Sequence, residues 1–149
     1  MLPAILSPAI ETLTLRFPAR EETINGVRKV LDDALSTCAV LAKDRYRLIA
    51  AVDELSTNVA QHGRRGRQPS LLDLSLSVGA RTLEVVLADR SPRFDPRRDA
   101  GKFDWDRLQA QGHSGGLGRY LVERVADRIT YRPRAGGGNV VSVLIRRKG

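Results

Sequence analysis

Three places in the sequence bring together side chains able to do chemistry. The first is Glu54 with Asn58. Four residues apart on a helix, they share one face, and a carboxylate beside an amide can hold a water or a cation between them. That face lies roughly 110° from the centre of the helix's apolar stripe, at the margin of a core where a cleft can open. A solvated helix face is the other reading of the pair taken by itself. The second is Asp89, which ends an apolar strand and is followed by Arg90-Ser91-Pro92. A carboxylate there can accept a hydrogen bond from a ligand, or it can start a turn. The third is Gly115-Gly116-Leu117-Gly118, opening a helix. Glycines let a backbone approach a ligand closely, and the helix start offers free N–H groups and partial positive charge. Together these suit an anion, phosphate above all. A glycine-rich turn without a ligand has the same composition. No Lys-Ser or Lys-Thr follows, which excludes a P-loop. No βαβ unit surrounds it, which excludes a dinucleotide fingerprint.

The elements that must position these groups follow from periodicity. Residues 12–17 alternate, with Leu13, Leu15 and Phe17 against Thr12, Thr14 and Arg16, as a half-buried strand does. From 21 to about 41 the apolar residues Ile24, Val27, Leu31, Leu35, Cys38 and Leu41 recur every three or four, predicting an amphipathic helix with Cys38 in the core. A second helix runs over about 44–62 on the stripe Leu48, Val52, Leu55 and Val59, and Gly63 stops it. Residues 72–78 and 83–87 alternate about a turn at Gly79-Ala80, as an antiparallel hairpin. An irregular stretch rich in Arg, Asp, Gly and Pro fills 89–116; a loop so long in a compact domain is a functional lid or disordered. A helix over 117–126, a strand over 129–132, the Gly136-Gly137-Gly138 turn and a last strand over 140–146 complete the chain. Hairpin-joined strands imply a mostly antiparallel sheet covered on one face by three helices, an α/β two-layer sandwich.

Composition narrows the class. The chain has 149 residues, 42% hydrophobic and 28% charged, with one cysteine. That predicts one domain over 1–149 with a real core. No apolar run reaches the ~18 residues of a membrane helix. The first ten residues have no basic start and are too short for a signal peptide, so a cytoplasmic protein is the default. Cys38 has no internal disulfide partner, and no Cys/His cluster suggests zinc. Net charge is +8, but only four of the 25 basic residues are Lys. The arginines spread along the chain, as solvated surface or as a basic face for an anionic protein, nucleotide or nucleic acid.

Each signal is weak alone; their order is specific. The segments 52–63 (VDELSTNVAQHG), 87–96 (LADRSPRFDP) and 115–128 (GGLGRYLVERVADR) resemble the N, G1 and G2 boxes of the GHKL ATPase/kinase superfamily. The resemblance covers nearly the whole chain from Leu13. Within the superfamily the chain looks most like the bacterial anti-sigma-factor serine kinases of partner-switching systems.

The resemblance implies a mostly antiparallel mixed sheet and a set of roles. Glu54 matches the general base. Asn58 matches the amide that coordinates Mg²⁺. Asp89 matches the carboxylate that accepts a hydrogen bond from the adenine amino group of ATP. Gly115, Gly116 and Gly118, with Leu117 between them, match the backbone that lies on the phosphates. Ser91 and Asn139 fall in the nucleotide site, and 94–114 is the ATP lid, which holds Asp99, Lys102 and His113. The G1 box of relatives reads Asp-x-Gly-x-Gly; here Ser91 and Arg93 replace its glycines, and Asn139 stands where relatives have Thr.

Three functions compete. The first is an ATP-dependent protein serine/threonine kinase and anti-sigma factor. It would sequester a sigma factor and phosphorylate a small STAS-domain anti-anti-sigma antagonist, as a homodimer. The second is a binding-only regulator on the same fold, motivated by the altered G1 box. The third and last is a basic nucleic-acid-binding module, against which stands an aromatic content of 5%, few rings for bases to stack on.

Overall fold

The computed structural model describes residues 11–62, 68–92 and 125–148. The chain runs β1 (Glu11–Pro18), α1 (Glu21–Thr37), α2 (Ala42–His62), β2 (Leu71–Val78), β3 (Thr82–Asp89), β4 (Arg128–Pro133) and β5 (Asn139–Arg146). The five strands form one sheet in the order β1-β2-β3-β5-β4. All four pairings are antiparallel. The expectation of a mostly antiparallel sheet therefore holds, and its mixed component is corrected: among the described residues no pair of neighbouring strands is parallel. β3 and β4 run parallel, but β5 lies hydrogen-bonded between them.

Strand alternation sends one set of side chains to the helical layer. Leu15, Leu74, Leu87, Val141 and Tyr131 make one row across all five strands. Leu76, Val85 and Val143 make the next. Apart from Leu15 and Tyr131, which are partly buried against its margin, they pack with Ile24, Val27, Leu31 and Leu35 of α1 and with Leu48, Val52 and Leu55 of α2 in one buried cluster. Each such aliphatic side chain contributes about 1.5–3 kcal/mol on burial. By the same alternation Asp89 shares its face with Leu83, Val85 and Leu87, and Asn139 shares its face with Val141 and Val143. These two polar residues oppose each other in register at the end of the sheet. They lie on the core side, where a polar group needs a partner.

The first helix ends earlier than its apolar spacing suggests. α1 stops at Thr37; Cys38 caps it and Ala39 turns to φ 59°. The Val40 N–H donates to Leu35 O and the Cys38 N–H to Ala34 O, closing the helix with a left-handed residue. The chain is thereby rotated, so Val40 is buried in place of Leu41, which is 44% exposed. Cys38 is half-buried at the core's edge, with its thiol donating to Glu11 Oε2 at 3.1 Å. That bond, with burial second, pushes the thiol pKa up.

Two contacts orient α2 along the sheet. Near its start Arg47 donates to Val125 O at 3.1 Å, Arg146 O at 2.9 Å and Asp127 Oδ2 at 3.1 Å. Fully buried Asp44 accepts the Lys148 N–H at 2.8 Å. This pins the start of α2 to the end of β5. At the other end Thr57, Ala60 and Gln61 share a groove of about 760 Å³ with Ala19 and Pro69. Those two flank the end of β1 and the start of β2, the edge of the sheet where β3 finishes with Asp89. No described helix is long and apolar enough to cross a membrane.

Candidate functional site

At that edge Asp89 is 4%, Ser91 5% and Asn139 3% exposed. The Asp89 carboxylate is organised by its own loop. The Ser91 N–H donates to Asp89 Oδ1 at 2.7 Å, and the Ser91 hydroxyl donates to the same oxygen. Asn139 Nδ2 donates to it from β5 at 3.1 Å. Asp89 Oδ1 is thus saturated by three donors. Asp89 both starts a turn, as its sequence context allows, and holds a carboxylate in place. Asn139 Nδ2 also donates to Pro92 O at 3.0 Å, tying the exit of β3 to β5.

Gly138 makes this closeness possible. It adopts φ +114°, and a Cβ there would sit 2.0 Å from Asp89 O and 2.8 Å from Arg90 Cα. Any side chain would force β5 away from the end of β3. Sequence reasoning read Gly136–Gly138 only as a turn. The available signal was a glycine run immediately before a strand whose first residue must pair with the G1 carboxylate. Tyr131 was also missed. Its hydroxyl donates to Asn139 Oδ1 at 2.8 Å. The β4–β5 register alone places it on the same face as Asn139.

The second group sits on α2. Asn58 is 5% exposed, and among the described residues neither Oδ1 nor Nδ2 of its amide has a hydrogen-bond partner. Leaving such groups buried and unpaired costs about 1–3 kcal/mol each. Glu54, one turn earlier, is half-buried with Oε1 shielded from solvent. The expected placement at the core margin therefore holds for Glu54, while Asn58 lies deeper. Asn58 belongs to the half of α2 whose Thr57, Ala60 and Gln61 share the groove with Ala19 and Pro69, while hydrogen bonds bring Asp89, Ser91 and Asn139 together at the end of β3 and the start of β5. Asn58 fits a divalent cation: hard cations take oxygen ligands, and an amide oxygen with no other partner is available there.

Gly115, Gly116, Leu117 and Gly118, the lid over 94–114, and Arg93 lie outside the described residues.

Away from the site, the open face of the sheet carries Asp73 between Arg16 Nε at 2.6 Å and Arg134 Nη2 at 3.2 Å. The Arg16 hydrogen bond, ahead of Arg134, holds the Asp73 carboxyl below its usual range.

Comparison with known proteins bears on this arrangement. Residues 17–145 match the family described as the histidine kinase-like ATPase domain. The chain is 28% identical over 134 residues to the serine-protein kinase RsbW of Bacillus velezensis, covering 88% of this chain and 84% of that one. Two solved structures share the fold. One holds the RsbU and RsbW domains of a Mycobacterium tuberculosis protein, with a TM-score of 0.63 at 16% identity; the match covers 92% of this chain and 32% of that longer one. The other is the SiaB–SiaC complex of Pseudomonas aeruginosa, with a TM-score of 0.62 at 15% identity, covering 92% of this chain and 90% of that one. With the family match running from the end of β1 to the last residues of β5, this chain belongs to the histidine kinase-like ATPase domain family.

Proposed function

We propose that this protein is an ATP-dependent serine/threonine kinase and anti-sigma factor of a bacterial partner-switching system. Its protein substrate is a small STAS-domain antagonist, and its sequestered partner a sigma factor. The observation that carries the reading is the Asn58 amide, buried with both polar atoms unpartnered one turn from Glu54. A folded protein keeps such a cost where a ligand removes it. Likeness to chains named serine-protein kinase supports phosphoryl transfer to a hydroxyl. A neighbour solved as a two-protein complex supports partner binding on this fold. The cytoplasmic location, homodimer and single-domain organisation belong to the same reading.

The chemistry divides among the residues. Asp89 holds the adenine through its amino group. Asn58 Oδ1 would hold Mg²⁺, which when bound supplies positive charge to the phosphates. Glu54 takes the proton of the incoming serine or threonine hydroxyl. The hydroxyl oxygen bonds to the γ-phosphorus, the bond from that phosphorus to the bridging oxygen breaks, and ADP leaves with the electron pair. A positioned general base contributes about 10²–10⁴-fold in rate, while most of phosphoryl transfer is positioning and charge stabilisation. The glycines at 115, 116 and 118 would supply backbone N–H groups to the phosphates.

The test is transfer of phosphate from radiolabelled Mg-ATP to the antagonist. Wild-type protein labels it, and Glu54→Gln labels it at least a hundredfold more slowly while binding ATP within about threefold of wild type. A Glu54→Gln protein that labels as fast as wild type refutes the general-base role. A wild-type protein that binds ATP yet labels nothing leaves the binding-only regulator in its place.

A further inference from the structure

Two of the departures from the family pattern, Ser91 and Asn139, touch each other. Ser91 stands at the first glycine position after Asp89, and Asn139 replaces Thr at the start of β5. Among the described residues the Asn139 Nδ2 group faces acceptors: Asp89 Oδ1 at 3.1 Å, Pro92 O at 3.0 Å, Ser91 Oγ at 3.3 Å and Ser91 O at 3.4 Å. Its Oδ1 faces a donor, the Tyr131 hydroxyl at 2.8 Å. The amide therefore has one orientation, because flipping it would set a carbonyl oxygen against a carboxylate and two backbone carbonyls. The tether runs from β4 through β5 to the end of β3. It ties one oxygen of Asp89, and among the described residues no hydrogen bond reaches the other, Oδ2.

We propose that Tyr131, acting through the Asn139 amide, is a positioning residue that sets how sharply the site tells a 6-amino purine nucleotide from a 6-oxo one. With Oδ1 held by three donors, Asp89 cannot rotate to meet a different base edge. Its remaining oxygen rewards an amino group and faces a 6-oxo group acceptor to acceptor, with no hydrogen bond to gain. Loosening the tether lets the carboxylate turn, and selectivity falls. The inference rests on reading this edge as the nucleotide site.

The experiment is calorimetric titration of Mg-ATP and Mg-ITP into the full chain as wild type, Tyr131→Phe, Asn139→Ala and the double variant. Tyr131→Phe is expected to lower the ATP-to-ITP affinity ratio about three- to tenfold, through ATP alone. Asn139→Ala lowers it further, and adding Tyr131→Phe to Asn139→Ala changes nothing more. Three results overturn the inference: an unchanged ratio in Tyr131→Phe, an equal loss for both nucleotides as a merely structural role would give, or a Tyr131→Phe effect that persists without Asn139. Wild-type protein that binds neither nucleotide overturns the nucleotide reading of the edge together with the inference. Wild-type selectivity that survives Tyr131→Phe overturns the inference alone.

Discussion

Replacing Gly138 by Ala separates two costs that glycine avoids at once. Gly138 has φ +114° and its missing Cβ would lie 2.0 Å from Asp89 O, whereas Gly136 has φ +86° and nothing within 4 Å. Gly136→Ala therefore measures the backbone cost alone, about 1–2 kcal/mol. Gly138→Ala adds a contact that only withdrawal of β5 from the end of β3 can relieve. Withdrawal breaks the Asp89–Asn139 rung and the Asn139 Nδ2 bonds to Asp89 and Pro92. At about 0.5–1.5 kcal/mol for each of two or three hydrogen bonds, added to the backbone cost, the total is about 2–6 kcal/mol. That is a large part of the 5–15 kcal/mol typical of a domain. Urea unfolding of both variants reads the difference as a shift of midpoint at constant slope. Titration with Mg-ATP reads the site: Gly136→Ala binds within about twofold of wild type, and Gly138→Ala loses at least tenfold. Equal urea midpoints for the two variants refute the close-approach argument. A destabilised Gly138→Ala that binds ATP like wild type refutes the link between that approach and the site.

Asp89→Asn removes the charge that accepts the base's amino group and weakens ATP binding by one to two decades, measured by the same titration; unchanged affinity would exclude Asp89 from base recognition. Asp127 is held below the usual carboxylate value of 3.8, chiefly by the Arg146 N–H and then by Arg47. A folded-state value below the unfolded one gives stability that is present above about pH 4 and lost as pH falls through the lower value. Wild type should therefore be more stable than Asp127→Asn near pH 6, with the gap closing below pH 4 in urea melts; a gap that stays constant with pH would contradict this. Glu11 raises the Cys38 pKa by accepting its thiol hydrogen bond, which keeps the thiolate fraction low. Glu11→Gln should speed iodoacetamide labelling of Cys38 at pH 8, and an equal rate would show that the bond does not form in solution.

Much of the frame was legible from alternation and spacing. The hairpin β2–β3, the strands β1 and β5 and the helix α2 fall where their apolar periods put them, because burial on one face demands those periods. The end of α1 was not legible. Cys38 and Leu41 continue its spacing, yet the left-handed Ala39 breaks it, and a C-terminal turn without glycine leaves no compositional mark. The carboxylates and amide of the site were legible as residue types in a known order of boxes.

What the sequence by itself determined is the inventory: Glu54 and Asn58 on one helical face, Asp89 at a strand end, and the element order that makes a mostly antiparallel sheet. These follow from interactions a few residues apart, which periodicity records. What only the tertiary structure decided is how distant residues complete one another. Asn139 meets Asp89 across 50 positions, Tyr131 holds Asn139 from another strand, Gly138 clears room for the Asp89 carbonyl, and the Asn58 amide is left without a partner in the interior. Each of these depends on strand register and layer packing, which bring together groups whose separation along the chain carries no periodic signal.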